Sequence, residues 1–417
     1  MAQIESVTTL FSPSTVHSTV PSAAPGTAPS AEDLIARAQA MVPWLREQAE
    51  AVEQAQSVPA ATIQAFKDAG FFRILQPSRW GGYAMSPEVF YRVLMELGRG
   101  CPSSAWNLMI LGVHQWEFGK IDPRAGDEVW GEDASILVAS SYAPCAKVRK
   151  VEGGWIISGQ WPTSSGSEHA AGGAFLGGRV LDEAGNAVDF RAFLVRREDY
   201  ELLDDWYVVG LSGTGSRSLR LRGDTFVPDY RSHSIIDYQL SDAAVTYRLP
   251  FNQIFYGTVS AVIVGFANGM VDLFVEHMST RQNVFVPGAP AKNPFVQEKL
   301  GNAVLLIRSA RARVLQCIQE SVSYAERGQL IPLENRVHYF LDNQGVARDC
   351  FNAAHMIFKK SSARGVFLKN PLQRQLRALL VAANHITQNE DDTSALLGAY
   401  LLGQGLPPGI FELPAAR

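Results

Sequence analysis

Residues Trp161 to Gly178 read WPTSSGSEHAAGGAFLGG, with Thr163, Ser164, Ser165, Ser167, Glu168 and His169 crowded into the first nine positions. Such a cluster suits a polar catalytic lining, a phosphate-cradling loop or the tight edge of a sheet. The glycines follow the polar residues and do not open a helix, so neither a dinucleotide fingerprint nor a P-loop is present. SSGSEH does not fit the GxSxG elbow of a serine nucleophile. The eight histidines show no HxxxH or HxH spacing, which leaves no local metal motif.

Glu168 and His169 are neighbours in a predicted strand and are expected to face opposite ways, against an acid/base pair. His114, in LGVHQWEFG, follows Trp106 by eight residues among the apolar Leu108, Ile110, Leu111 and Val113, and a buried imidazole there needs a partner. Arg374, Ala378, Val381 and His385 fall on one predicted helical stripe whose small residues leave room for a ring beside the imidazole. From the residues alone, His385 reads first as a hydrogen-bonded core histidine, and Trp106 as either core filling or a cofactor contact.

The elements that must position these residues follow from periodicity. Residues 1–29 are rich in Ser, Thr, Pro and Ala and lack a basic n-region with a compact apolar core, so a disordered tail is expected and no secretory signal. Ser30 precedes two acids as a helix cap, and residues 30–133 carry apolar residues at helical intervals behind Pro or Ser-Pro starts. Residues 134–240 break into short β-branched and aromatic runs, with VEGGW as a hairpin signal. Residues 241–417 return to helical blocks at about 253–283, 293–327, 333–360 and 371–403, which predicts a four-helix bundle. The fold class is α+β, mainly α.

A chain of 417 residues can bury a large core and a deep pocket. Its apolar content of 47%, charged content of 19% and net charge of −4 give no basic footprint for nucleic acid. Cys101, Cys145, Cys317 and Cys350 lie far apart without CxxC spacing, as expected of free thiols in a reducing cytoplasm. No uninterrupted apolar stretch reaches the roughly 20 residues that span a bilayer.

The order of helical domain, small β-domain and four-helix bundle resembles the acyl-CoA dehydrogenase fold over nearly all of the chain beyond the tail. Three stretches carry the likeness: AGFFRILQPSRWGGYAMSPEVFYRVLMELGRGCPSSAW (69–106), WYVVGLSGTGSRSLRLRGDTFVP (206–228) and NPLQRQLRALLVAANH (370–385). The Gly-Gly after an aromatic, followed by GCPSSAW, is the specific part. Dehydrogenases of this fold place a catalytic glutamate in a Tyr-Glu-Gly stretch late in the last helices, to remove a proton while the flavin takes a hydride. Here the region reads ANHITQNEDDTSALLG, where Glu390 stands with Asp391 and Asp392 as in a solvated turn or helix N-terminus. With His385 in that region, the chain is similar to the oxygenase components of two-component flavin monooxygenases, such as those hydroxylating 4-hydroxyphenylacetate or steroid-derived catechol precursors.

That resemblance implies roles for individual residues. His385 contacts a substrate phenol and, with a pKa near neutrality, accepts its proton; His114 helps bind the substrate, and Trp106 lies against the flavin. Ser140, Ser141, Thr163, Ser164 and Ser165 hydrogen-bond the ring edge, with Ser140 also at the substrate. Ser165, or Ser164, holds the N5 proton and protects a C4a-hydroperoxide from water; the same hydroxyls could instead satisfy backbone groups at a strand edge. Arg281 in STRQNVF binds the flavin phosphate between subunits, with Ser361, Ser362 and Gln297 as further interface contacts. The implied protein is a homotetramer that takes reduced flavin, FMNH2 or FADH2, from a separate NAD(P)H:flavin reductase. It uses O2 to hydroxylate a small phenolic or indolic substrate in the cytoplasm, with no nucleic acid or membrane partner. Competing readings are an FAD-dependent acyl-CoA dehydrogenase, an N- or S-oxygenase of the same fold, and a flavin-free interaction scaffold.

Overall fold

The computed structural model describes residues 28–281 and 289–405. All but the last two residues of the predicted tail lie outside them. Five helices come first: α1 (Ala31–Ala55), α2 (Ala60–Asp68), α3 (Pro87–Leu97), α4 (Pro102–Glu117) and α5 (Pro123–Trp130). Ser30 caps α1 in a reciprocal box: its hydroxyl accepts the Asp33 N–H at 3.1 Å, and the Asp33 carboxylate accepts the Ser30 N–H at 2.9 Å. Proline opens α3, α4 and α5, where its missing N–H costs nothing. Every residue of α4 except Ile110 is buried, so each polar side chain on it needs a partner inside the protein.

Ten strands follow: β1 (Ala139–Ser141), β2 (Lys147–Val151), β3 (Gly154–Ser158), β4 (Gln160–Ser164), β5 (Ala174–Leu181), β6 (Ala187–Val195), β7 (Tyr200–Leu202), β8 (Arg217–Leu221), β9 (Thr225–Pro228) and β10 (Ser232–Ser234). They form three small sheets, ordered β1-β5-β6-β10, β2-β3-β9 and β4-β8-β7. Only β1 and β5 run parallel among the described pairs. The VEGGW signal is the β2–β3 turn, with Val151 opposite Gly154.

The chain then returns to helices α6 (Phe251–Thr280), α7 (Pro294–Glu326), α8 (Leu333–Phe358), α9 (Pro371–Ala383) and α10 (Glu390–Leu401). The central helix, α6, contacts α3, α7, α8 and α9. By length and composition α6 could cross a membrane, but 78% of its most apolar window is buried inside the protein. Its backbone meets that of α3 where Gly98 faces Gly265: a methyl group on Gly98 would lie 3.0 Å from the Gly265 backbone.

The expected helix over 371–403 is broken. After α9 ends at Ala383 the chain makes a 3-10 turn over Ile386–Gln388 and restarts as α10. The side chains of Asn384 and His385 bond the backbone here in place of the helix ladder: Asn384 donates to the Leu380 carbonyl at 2.8 Å, and the His385 ring accepts the Thr387 N–H. His385 therefore stands past the end of α9, off the stripe of Arg374, Ala378 and Val381.

Candidate active site

The Trp161–Gly178 stretch carries β4 and the turn that presses against α4. Pairing of β4 with β8 shifts register between Trp161 and Ser164, and Thr163 takes a left-handed φ of 56°. That conformation is costly for a β-branched residue. The Thr163 side chain is exposed, while Ser164, Ser165, Gly166 and Ser167 are buried. Gly166 is also left-handed, and a methyl group there would lie 3.0 Å from Leu111 and 3.3 Å from Asn107 on α4.

From α4, the Trp106 indole N–H donates to the Ser165 hydroxyl at 3.1 Å. The chain continues through Ser216 at 2.7 Å and Thr214 at 2.6 Å, and Thr214 donates to the Leu211 carbonyl at 2.7 Å. A carbonyl only accepts, so the direction of the whole chain is fixed. Thr214 takes its hydrogen bond from Ser216, and Ser216 takes its own from Ser165. Ser165 has thus committed its proton and one lone pair, and it offers one remaining lone pair as an acceptor. Ser216 and Thr214, in GLSGTGS, were not singled out from sequence as site residues.

Around this point the Oγ atoms of Ser164 and Ser167 and both amide atoms of Asn107 are buried without partners. Each such atom costs on the order of 1–3 kcal/mol. Their clustering beside an indole fits a planar ligand with a polar edge, as a flavin ring has. His385 packs edge-on to the Trp106 ring, 5.6 Å between centroids. Its Nδ1 accepts the Thr387 N–H at 3.3 Å, which leaves the ring hydrogen on Nε2. Burial pushes its pKa down to about 4. The expected near-neutral base at His385 is therefore corrected to a neutral imidazole that donates through Nε2.

His114 lies two turns further along α4, fully buried, in contact with the rings of Tyr142, Phe175 and Phe255. Its partner is Glu117, whose Oε2 takes the His114 Nδ1–H at 3.1 Å and the Tyr142 hydroxyl at 2.5 Å. The other carboxylate oxygen takes His233 Nε2–H at 2.6 Å. Burial pushes the Glu117 carboxyl up, but the hydrogen bonds from His114 and His233, with the positive charge of His233, outweigh it and hold the pKa down at about 2. Burial and the Glu117 charge push the Tyr142 phenol well above its ordinary value, and a hydrogen bond from Ser140 opposes them. Sequence reasoning missed Glu117, Tyr142 and His233. The available signal was a carboxylate three residues after a histidine inside an apolar run, because a fully buried Glu requires partners.

A third corner forms at the far end of α6. Arg281 donates to the Lys360 carbonyl at 3.2 Å, and the His277 ring donates to the Ser361 carbonyl at 3.0 Å. Ser361 is fully buried with its Oγ unpartnered, while Ser362 is exposed with a left-handed φ of 64°. Arg281, Ser361 and Ser362 thus come together. Gln297, exposed on the first turn of α7, bonds the Ala291 carbonyl at 3.0 Å. Phe266 of α6 touches Trp106 at 6.3 Å, so Arg281 stands roughly 22 Å along the helix axis from the indole.

Glu168 and His169 lie in a 3-10 turn and not in a strand, with 3.5 Å between His169 Nε2 and Glu168 Oε1. Glu390 opens α10 and faces Arg348 at 3.3 Å, which agrees with a helix N-terminus.

The element order and the buried corners define a protein of the acyl-CoA dehydrogenase fold. Residues 36–120 match the family model described as acyl-CoA dehydrogenase, N-terminal domain, and residues 257–390 match the C-terminal domain model. The chain is 33% identical over 390 residues to the flavin-dependent monooxygenase oxygenase subunit HsaA of Mycobacterium tuberculosis, covering 91% of this chain and 97% of that one. It is 27% identical to the oxygenase component of p-hydroxyphenylacetate 3-hydroxylase from Acinetobacter baumannii, over 91% of each chain. The crystal structure of 3-HSA hydroxylase from Rhodococcus sp. RHA1 superposes with a TM-score of 0.85 at 33% identity, covering 90% of this chain and 97% of that one. The chain belongs to the oxygenase components of the two-component flavin-dependent monooxygenases.

Proposed function

We propose that this enzyme hydroxylates a small phenolic or indolic substrate with reduced flavin and O2, and that a separate NAD(P)H:flavin reductase delivers the flavin. The observation that carries the reading is the fixed direction of the Trp106–Ser165–Ser216–Thr214 chain. It leaves Ser165 as a neutral, buried acceptor. When bound, reduced flavin and O2 supply the oxygen-transfer chemistry.

The residues of the chain do the rest. Trp106 would provide a platform for the flavin ring, and Ser165 would accept a hydrogen bond from the N5–H and so hold that proton in place. Ser164, Thr163 and Ser140 contribute to the polar edge, together with Ser167 and Asn107. His385 donates Nε2–H to the substrate hydroxyl, and His114 and Ser140 hold the substrate from the other side. Aromatic walls and the bundle exclude water, which favours transfer of oxygen over release of peroxide.

Arg281, with Ser361 and Ser362, is assigned to a flavin phosphate, because a guanidinium fork matches phosphate oxygens. The length of α6 between Arg281 and Trp106 supports a phosphate from a neighbouring subunit's flavin, in keeping with the homotetramer that the resemblance implies, with Gln297 at its interface. We assign residues 30–133, 134–240 and 241–417 as its three domains and place it in the cytoplasm, where four free cysteines are expected. The test is to load the protein anaerobically with FMNH2 or FADH2, add O2 and a panel of phenols and indoles, and measure product against peroxide. Bleaching of bound FAD by an acyl-CoA, with no hydroxylated product, would replace this reading with the dehydrogenase.

A further inference from the structure

Both ring nitrogens of His233 face acceptors: Nε2 lies 2.6 Å from Glu117 Oε1 and Nδ1 lies 3.1 Å from the Ser234 carbonyl. Both therefore carry hydrogen, so His233 is the cation that balances the buried Glu117 carboxylate. Tyr142 has only one hydroxyl hydrogen, and it points at Glu117 Oε2. His114 Nδ1, 3.3 Å from that phenol oxygen and 3.1 Å from Oε2, must then be a donor to both. The second nitrogen of His114, Nε2, is buried without a partner. His114 and His385 are thus held in opposite tautomers, the first with the hydrogen on Nδ1 and a free acceptor at Nε2, the second with the hydrogen on Nε2.

We infer that Glu117, held in place by His233, is a positioning residue that keeps the His114 hydrogen on Nδ1 and its Nε2 lone pair free for a substrate hydroxyl. The inference rests on the reading of His114 as a substrate contact. When a phenol binds, its O–H bond breaks and the proton passes to Nε2. The products are a phenolate and an imidazolium, with no oxidant required. The carboxylate behind Nδ1 stabilises that imidazolium, so the phenolate form gains population. The polar groups facing His114 are Glu117 from α4 and Tyr142 after β1, with His233 of β10 behind the carboxylate. The packing from β5 and α6 is Phe175 and Phe255.

The probe is 4-nitrophenol, whose phenolate absorbs in the visible, titrated against the full-length protein without substrate turnover. Wild type is expected to lower the apparent pKa of the bound probe. Glu117→Gln should raise it by about one unit relative to wild type, a tenfold loss of phenolate at fixed pH. Tyr142→Phe removes a competing donor from the same oxygen and should shift the probe the opposite way. His233→Gln removes the cation that competes for the other carboxylate oxygen and should shift the probe the same way as Tyr142→Phe, which keeps the test available should one variant fail to fold. Unchanged titration in folded variants, or shifts of one sign in Glu117→Gln and Tyr142→Phe, would overturn the positioning role while leaving the proposed reaction standing. Absence of probe binding to wild type would overturn the reading of the site itself and the inference with it.

Discussion

The indole N–H of Trp106 donates to the Ser165 hydroxyl across 3.1 Å, tying the buried helix α4 to the strained turn that ends β4. One hydrogen bond thereby fixes both the ring platform and the orientation of the hydroxyl beside it. Removing the hydroxyl should leave flavin binding largely intact and release oxygen as peroxide. Ser165→Ala is expected to raise the ratio of H2O2 to hydroxylated product about tenfold, the weight of one such bond of about 1.4 kcal/mol. Ser164→Ala, whose Oγ lies outside the chain, should change the ratio much less, as read by peroxide and product assays on the same reaction.

Ser216 acts one step back. Ser216→Ala frees the Ser165 proton and makes Ser165 a donor where an acceptor is required, so uncoupling should rise as it does for Ser165→Ala. Ser216→Thr retains the hydroxyl and should restore coupling. A loss in both variants would mean that space, and not hydrogen-bond direction, matters at this position.

His385 stays neutral down to a pKa of about 4. Its contribution to hydroxylation should therefore be flat between pH 5.5 and 8 (roughly, given its ordinary value near 6.5), and a product-yield profile of His385→Ala divided by wild type measures this. The same substitution should lower hydroxylation more than it lowers oxidation of bound reduced flavin by O2. Equal loss of both would contradict a substrate-side role.

Glu117 has a folded pKa of about 2 against an ordinary value of 4.5. Because the folded value is depressed, its contribution is fully present above pH 4.5 and is lost as pH falls toward 2. The size is on the order of 3 kcal/mol. Denaturant unfolding should show Glu117→Gln less stable than wild type at pH 7, with the gap narrowing below pH 4.5.

Arg281→Met should weaken binding of reduced FMN by about tenfold to a hundredfold, as expected for a lost charged hydrogen bond of roughly 1.5–3 kcal/mol. Riboflavin, which lacks the phosphate, should bind wild type and variant alike in anaerobic titrations.

Much of this molecule was legible in its residues. Local signals gave the Ser30 cap, the VEGGW hairpin and the helix starts at proline, because each depends on neighbours within four positions. The family motifs brought Trp106, Ser165, His114 and His385 forward. Pairings across distance were hidden. Ser165 meets Ser216 at a separation of 51 residues, and Glu117 meets His233 at 116. Neither spacing has a period to detect. The break at Asn384 was also missed: apolar positions recur through it at helical intervals, although the exposed Ile386 points away from the core. The tautomers of His114 and His385 depend on one backbone N–H and one buried carboxylate, which only the folded chain supplies.

The most direct measurement mixes the anaerobically reduced flavin–protein complex with O2 in the presence of a phenol and counts hydroxylated product per flavin oxidised, for wild type and Ser165→Ala. The account predicts near-stoichiometric product in wild type and mostly peroxide in the variant. Peroxide as the main product in both, or reduction of bound FAD by an acyl-CoA with no hydroxylation of any phenol or indole, would contradict it.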